Sequence, residues 1–498
     1  MKITGLAHLI GAGILALLLV ALAGCSTQSQ QRIQTSSLAM LGASGDCAAL
    51  LSELTQQIGN LGIEDPLAYP IKEYPYLRVN RLLESFTHQL ETEAQSQAWY
   101  QQLYRLGQQA RGFELNNLFP AVPLATRSQI EHCIERQAAT DRQKADFFDQ
   151  LRDGAQVPEL YSDWQQRLGL FPLTRKIVLH QIANHQQRWR QDFNNPALFE
   201  GLSQQYRPPT SPALPQSKIA MWLTQARSRS PLGIPELDDN RLQALFAEFA
   251  PVWQTFTNTS ADLIGSPYWR EERPNINSQD PTTYLLPSYT RFNGQVLLQL
   301  NYMIWFAERP PQHPLDLYAG RLDGLIWRVT LDTEGRVLLY DSIHPCGCYH
   351  QIFPVATQLR PTPLAATIEQ PLLLVNTAPA REQGRVVLQL TPGDHYLQGI
   401  KIATAEQLHP TTLNEDIAPK EYRFSSYHQL RSLSQKSGYR NLFDPDGLIG
   451  SSARLERFLL WPMGVTSPGA MRVWGAHAIG FANRRHFDDP YLFEQFFE

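Results

Sequence analysis

The run Val296 to Phe306 (VLLQLNYMIWF) constrains the fold more than any other stretch of this chain. Val296, Leu298, Leu300, Tyr302, Ile304 and Phe306 alternate with Leu297, Gln299, Asn301, Met303 and Trp305. Successive side chains of a strand point to opposite faces, so this period-two pattern predicts a long strand with one strongly apolar face. Leu325 to Leu331 and Arg336 to Ile343 flank Asp-Thr-Glu-Gly (332–335), which predicts a hairpin with Gly335 free to take positive φ. Pro371 to Thr377, Arg385 to Thr391 and His395 to Ala403 read as further strands. The expectation is a mostly antiparallel sheet or sandwich over about 280–405.

The segment before Pro267 has a different texture, rich in Gln and Arg and helical in period. Cys47, Leu50, Leu51, Leu54, Ile58 and Leu61 share one helical face, as do Val79, Leu82, Leu83, Phe86 and Leu90. A third helix is expected from Thr174 to Asp192, and a fourth carries Leu242, Leu245, Phe246, Phe249 and Trp253. Arg207 to Gln216 is a Pro-rich connection. No repeat of fixed period supports a solenoid. Near the C-terminus, Ser467-Pro468 pairs an N-cap hydroxyl with proline at the first helical position. That predicts a helix presenting Met471, Trp474, Ala478 and Phe481 on one face. The fold class expected is therefore α+β: a helical N-terminal half, a mostly antiparallel β-rich region and a short helical C-terminal segment.

The N-terminus bears on location. Lys2 precedes an uncharged run of Ala, Leu, Ile, Val and Gly from Leu9 to Ala23, a length that suits an export leader and is short of the roughly 20 residues of a spanning helix. It ends in Leu22-Ala23-Gly24-Cys25, which resembles the lipobox of bacterial lipoprotein precursors. The resemblance covers only the first 26 or so residues. It implies cleavage before Cys25, acylation of the Cys25 thiol and a stable anchor carried by two or three acyl chains. In that family's sorting pattern, Ser26 where aspartate would retain the protein at the inner membrane points to the outer membrane, with the body in the periplasm. The polar stretch Ser26 to Ser37 reads as a flexible tether. The expected organisation is a signal peptide at 1–24, a lipidated cysteine and tether at 25–40, a helical domain at 41–265, and a β-rich domain with C-terminal helices at 266–498. The formal net charge of −4 and the absence of a long basic run argue against a nucleic-acid partner. Partner proteins are undefined at this level; the membrane, through Cys25, is the one partner the sequence names.

An exported chain sits in an oxidising compartment, and that alters the cysteine arithmetic. Of five cysteines, lipidation of Cys25 leaves Cys47, Cys133, Cys346 and Cys348, an even set open to pairing. Cys47–Cys133 is the expected bridge. The other two belong to the one cluster with evident chemistry, His344-Pro-Cys-Gly-Cys-Tyr-His350. On an extended strand His344, Cys346, Cys348 and His350 would share a face. Imidazole and thiolate suit zinc or copper. Yet the outer histidines of an extended strand lie roughly 20 Å apart, too far to close on one ion. A loop could gather Cys346, Cys348 and one histidine, with His395, His477 and His486 as further candidates. The competing readings are a structural or assembly lipoprotein whose cysteines form disulfides, a redox dithiol, and a thiol enzyme using Cys346 or Cys348 with a histidine as base.

Other places offer less. Arg484-Arg485-His486-Phe487-Asp488-Asp489 could grip an anion with its guanidinium forks, but reads better as a solvated helix end. Asp444-Pro-Asp-Gly447 makes a turn without the continuation of a calcium loop. The chain contains no Gly-x-Ser-x-Gly, His-Glu-x-x-His, Walker loop, dinucleotide fingerprint or Cys-x-x-Cys-His, which weakens the commonest hydrolase, protease, nucleotide-enzyme and haem readings. The leading expectation is an envelope lipoprotein with a zinc or copper site at residues 344–350.

Overall fold

A computed structural model describes residues 35–199, 202–357, 359–365, 367–379, 384–404 and 419–498. The leader, Cys25 and the tether up to residue 34 lie outside them. The architecture is α+β, with helices concentrated in the N-terminal half and a β-rich middle. No helix among the described residues is long and apolar enough to cross a membrane.

The N-terminal layer is built from helices Cys47–Leu61, Glu93–Asn117 and Leu124–Asp141, with a hairpin of β1 (Tyr69–Ile71) and β2 (Tyr74–Val79) against them. Local chemistry marks their ends. Asp46 accepts from the Ala49 N–H at the start of the first, and Gly62 closes it at φ 60°. Thr92 and Gln95 form a reciprocal capping box on the second. Cys47 and Cys133 stand at bonding distance, S–S 2.02 Å. The expected helix through Val79 to Leu90 is not formed. Tyr74 to Val79 is a strand, because it slots against Gly107 of helix Glu93–Asn117, and Asn80 then caps a single turn, Arg81–Glu84. In the same way Trp253 leaves the helix Asp239–Phe249 for a strand of its own.

Two sheets form the centre. Among the described residues the larger has seven strands: β7 (Thr282–Phe292), β8 (Gln295–Arg309), β9 (Gly320–Leu331), β10 (Val337–Ile343), β11 (Gln351–Pro354), β12 (Leu372–Leu373) and β16 (Arg423–Ser426). Their order is β12-β11-β10-β9-β8-β7-β16, antiparallel from β11 to β7 and parallel at both outer pairs. The β9–β10 hairpin turns at Gly335, φ 76°. The smaller sheet draws on distant parts of the chain. It pairs β3 (Leu202–Arg207) and β4 (Val252–Thr257), from the segment read as helical, with β13 (Arg385–Leu390), β14 (Leu397–Ala403) and β15 (Lys420–Glu421).

One face of the large sheet (Leu300, Tyr302, Ile304, Phe306, Leu325, Trp327, Val329) packs on Trp253, Leu388 and Leu390 of the small sheet and on helices Gln216–Arg229 and Asp239–Phe249. The opposite face is buried too, beneath the C-terminal segment. This is why Gln299, Asn301, Arg328 and Asp341 are buried polar residues rather than a solvated face. The segment from Ser467 is not the expected helix. Its backbone is spent on cross-chain contacts instead: Arg472 N–H to Pro345 O (3.0 Å), Val473 N–H to Gly447 O (2.7 Å) and Ile479 N–H to Arg485 O (2.9 Å). Left-handed residues at Ser467, Gly469 and Gly475 break any helical course. The short C-terminal helix is Arg457–Leu460.

Candidate functional site

The loop between β10 and β11 carries the cluster, and its backbone explains what becomes of it. Gly347 N–H bonds to His344 O (2.8 Å) and His344 N–H to Cys348 O (3.0 Å), closing a tight turn. Gly347 at φ 90° and Tyr349 at φ 60° lie in the left-handed region. A Cβ on Gly347 would meet Ala478 O at 2.9 Å, so glycine is needed for the C-terminal segment to close over the loop. These two turns of the backbone break the shared-face alternation. His344 and His350 end up on opposite faces of the sheet.

His344 faces the small sheet. Its Nδ1–H donates to Asp323 Oδ1 (3.2 Å), and its ring lies against Tyr349 and Tyr396. Asp323 sits on β9 opposite Phe306 and is fully buried. Its second oxygen accepts from His395 Nδ1 (3.0 Å), and Arg454 Nη2 approaches Oδ1 at 3.4 Å. His395, in the β13–β14 loop, stacks on Phe306 with centroids 3.9 Å apart and points Nε2 at Asp262 Oδ1, 3.3 Å away. Asp262 is in turn held by the backbone N–H groups of Asn258, Thr259 and Gly393. Burial resists ionisation of Asp323, but His344, Arg454 and His395 outweigh it and hold the carboxyl well below its usual range. Asp262, likewise buried, is brought down to about 2 by His395 and the backbone donors. Burial works against charge on His395, yet hydrogen bonds to Asp262 and Asp323 raise its pKa. Burial, assisted by Arg309 and Arg454, lowers that of His344. The two imidazoles thus share one buried carboxylate, each on its own oxygen. His344 Nε2 has no hydrogen-bond partner among the described residues.

His350 faces the C-terminal segment. Its Nε2 contacts Asp341 Oδ2 at 2.9 Å, and Asp341 is gripped bidentately by Arg328 at 2.8 and 2.6 Å. Arg328 also donates to Phe487 O (2.7 Å) and lies 3.5 Å over the Phe487 ring. An ionised carboxylate only accepts, so the His350 Nε2–H donates to Asp341; burial pushes the pKa of His350 down.

Cys346 and Cys348 are free, buried thiols. They share one tight turn, with Arg454 and Arg472 in their field. Burial resists formation of the Cys346 thiolate, but the Cys348 thiol, the Arg454 charge and the Cys348 N–H overcome it and lower its pKa. Cys348, donating to Cys346 and buried, is driven well above the ordinary thiol range. Of the four expected ligands, then, the fold brings the two cysteines together and anchors each histidine to its own aspartate. Among the described residues no three His, Cys, Asp or Glu side chains are grouped so as to hold a metal ion.

His395 joins His344 through Asp323, whereas His477 is buried beside Phe487 and Arg472, and burial with the Arg472 charge lowers its pKa to about 3. His486 and Arg484 pair with Glu159 and Asp163, so the 484–489 stretch is a packed junction and not a solvated helix end. Sequence reading missed Asp262, Asp323, Arg328, Asp341 and Arg454. Two of them had a signal: a charged residue inside an otherwise apolar strand, as in Leu-Ile-Trp-Arg-Val and Leu-Leu-Tyr-Asp-Ser, must find a buried partner. No protein family, curated protein or solved structure matches the chain.

Proposed function

We propose that this is a lipid-anchored protein of the bacterial cell envelope that binds a soft monovalent metal ion, Cu(I) being the leading case, through Cys346 and Cys348. The lipobox-like Leu22-Ala23-Gly24-Cys25 supports the anchor. The observation that carries the metal reading is the placing of two free, buried thiols in one tight turn whose neighbouring histidines are already engaged by Asp323 and Asp341. A structural zinc site needs four donors in a tetrahedron. Thiolates select Cu(I), which two of them satisfy. Arg454 and Arg472 offset the negative charge of such a dithiolate complex.

Anaerobic titration of the reduced protein with Cu(I) against a colorimetric chelator tests this. One ion per chain is expected, lost in Cys346→Ser and in Cys348→Ser and kept in His350→Gln. Uptake that is absent, or unchanged in the serine variants, overturns the metal site. Zero free thiols in the denatured, unreduced protein would instead make the pair a staple. Mass spectrometry of the N-terminal peptide tests the anchor: an unmodified Cys25 in protein purified from membranes refutes it.

A further inference from the structure

Helix Asp163–Leu168, helix Phe171–Asp192 and helix Arg457–Leu460 all pack around Trp461–Met463. Ser162 N–H bonds to Gly464 O (2.7 Å) and Gln166 Nε2 to Met463 O (3.0 Å), while Gly169 lies so close to Pro462 that a Cβ there would overlap it. These contacts bind the inner sides of the three elements. Their outer sides expose large apolar side chains over residues 164–177 and 458–459. Trp164, Leu168, Leu173, Ile177, Phe458 and Leu459 are each 62–70% exposed. Trp164/Leu168 and Leu173/Ile177 are i, i+4 pairs, so each helix turns a deliberate apolar stripe outward. Leu170 between them is 62% exposed and held at φ 50°, a conformation that leucine seldom adopts and that burial within this chain does not repay. Single exposed apolar residues are ordinary, but a contiguous patch of this kind marks a surface that something covers.

We infer that this patch rests on a lipid bilayer, at the level where headgroups meet acyl chains. Three observations select a membrane over another protein. The patch combines Trp, Phe, Leu and Ile with exposed basic residues at its rim, Arg167, Lys176 and Arg457, the last lying over the Phe458 ring at 4.8 Å. That is the composition of interfacial membrane surfaces, whose cations meet anionic headgroups. The nearby carboxylates Glu159 and Asp163 both pair with Arg484, which offsets one of their two negative charges and so reduces their repulsion of such a surface. Finally, the chain between Cys25 and Thr35 can reach at most about 35 Å when fully extended, so an acyl anchor at Cys25 holds the body within touching distance of its own membrane. Only this last point rests on the anchor proposed above.

The test uses the chain from Ser26, which keeps every described residue and carries no acyl group, so its outcome is separate from that of Cys25 acylation. Co-sedimentation with vesicles of phosphatidylethanolamine and phosphatidylglycerol should show binding that weakens with salt and with removal of phosphatidylglycerol. Leu168→Glu with Leu459→Glu should lower it at least about tenfold, since each withdraws an apolar side chain from the bilayer. Lys176→Glu with Arg457→Glu should weaken it on anionic vesicles. Leu124→Glu, still more exposed but in another layer, should leave it unchanged. All these positions are solvent-facing, so unaltered circular dichroism is expected. Absence of vesicle binding, binding indifferent to the patch variants, or a lipid-free dimer that Leu168→Glu dissolves would each overturn the inference.

Discussion

Replacing Arg328 by methionine removes one guanidinium and strands two acceptors. Arg328 is 1% exposed and Asp341 is fully buried; they share two hydrogen bonds of 2.8 and 2.6 Å, and the third Arg328 contact is to Phe487 O at 2.7 Å. Methionine keeps much of the stem's packing. It leaves Asp341 with only His350 as donor and leaves a carbonyl of the C-terminal segment without one. Breaking a buried pair by removing one partner costs about 3–5 kcal/mol, because the remaining charge stays desolvated. The lost donor to Phe487 adds about 1 kcal/mol. A double-mutant cycle with Asp341→Leu isolates the pair. The double variant should recover at least about 2 kcal/mol relative to the sum of the singles, though not all of it, since His350 then loses its acceptor. Urea unfolding followed by circular dichroism supplies the free energies. A cost for Arg328→Met below about 1 kcal/mol, or an additive cycle, would refute the argument that this ion pair clasps the C-terminal segment to the sheet.

Two glycines of helix Glu93–Asn117 should respond in opposite directions. Alanine at Gly107 would put a Cβ 2.0 Å from Tyr76 O, and the clash with β2 outweighs the roughly 1 kcal/mol of helix propensity gained; alanine at Gly112 meets nothing within 4 Å and should stabilise by about 0.5–1 kcal/mol. Thermal melts of both variants check this, and a stabilising Gly107→Ala sinks the close-approach reading. Stability should also fall in acid through His428. Its Nδ1 accepts from Arg431 Nη1 (3.0 Å), and burial followed by the Arg431 charge lowers its pKa to about 3. Between about pH 6.5, where the unfolded chain takes up the proton, and about 3, where the folded one does, stability drops with falling pH by up to about 1.4 kcal/mol per unit for this residue. His428→Gln should flatten that slope in pH-dependent urea denaturation, and an unchanged slope would exclude His428 as its source.

The long strand, the 332–335 hairpin and the amphipathic helix Cys47–Leu61 were legible because each is specified by the local period of its own residues. Helix Glu93–Asn117, with Thr92 and Gln95 as its capping box, has a local signal of the same kind that the sequence reading passed over. Where tertiary contact outvoted a local pattern, reading failed. Ser467-Pro468 looks like a helix start, but the segment behind it gains more by closing over the second face of the large sheet with its backbone bonded to Pro345 and Gly447. Val79 to Leu90 has helical period, but its first residue belongs to a strand held by the close approach of Gly107. The candidate site divides the same way. His344, Cys346, Cys348 and His350 stood out as a run, whereas Asp262, Asp323 and His395 come from separate elements that only the folded chain unites.

By itself the sequence determined which segments could be strands or helices, which thiols remain once Cys25 is set aside, and that residues 344–350 hold soft and basic donors at even spacing. Those are properties of local composition and period, which need no knowledge of what lies across the core. Tertiary structure alone decided that the two imidazoles part to opposite faces of a sheet buried on both sides. Left-handed turns at Gly347 and Tyr349 redirect the loop, and each of these two imidazoles finds a carboxylate on its own face, Asp323 on one and Asp341 on the other.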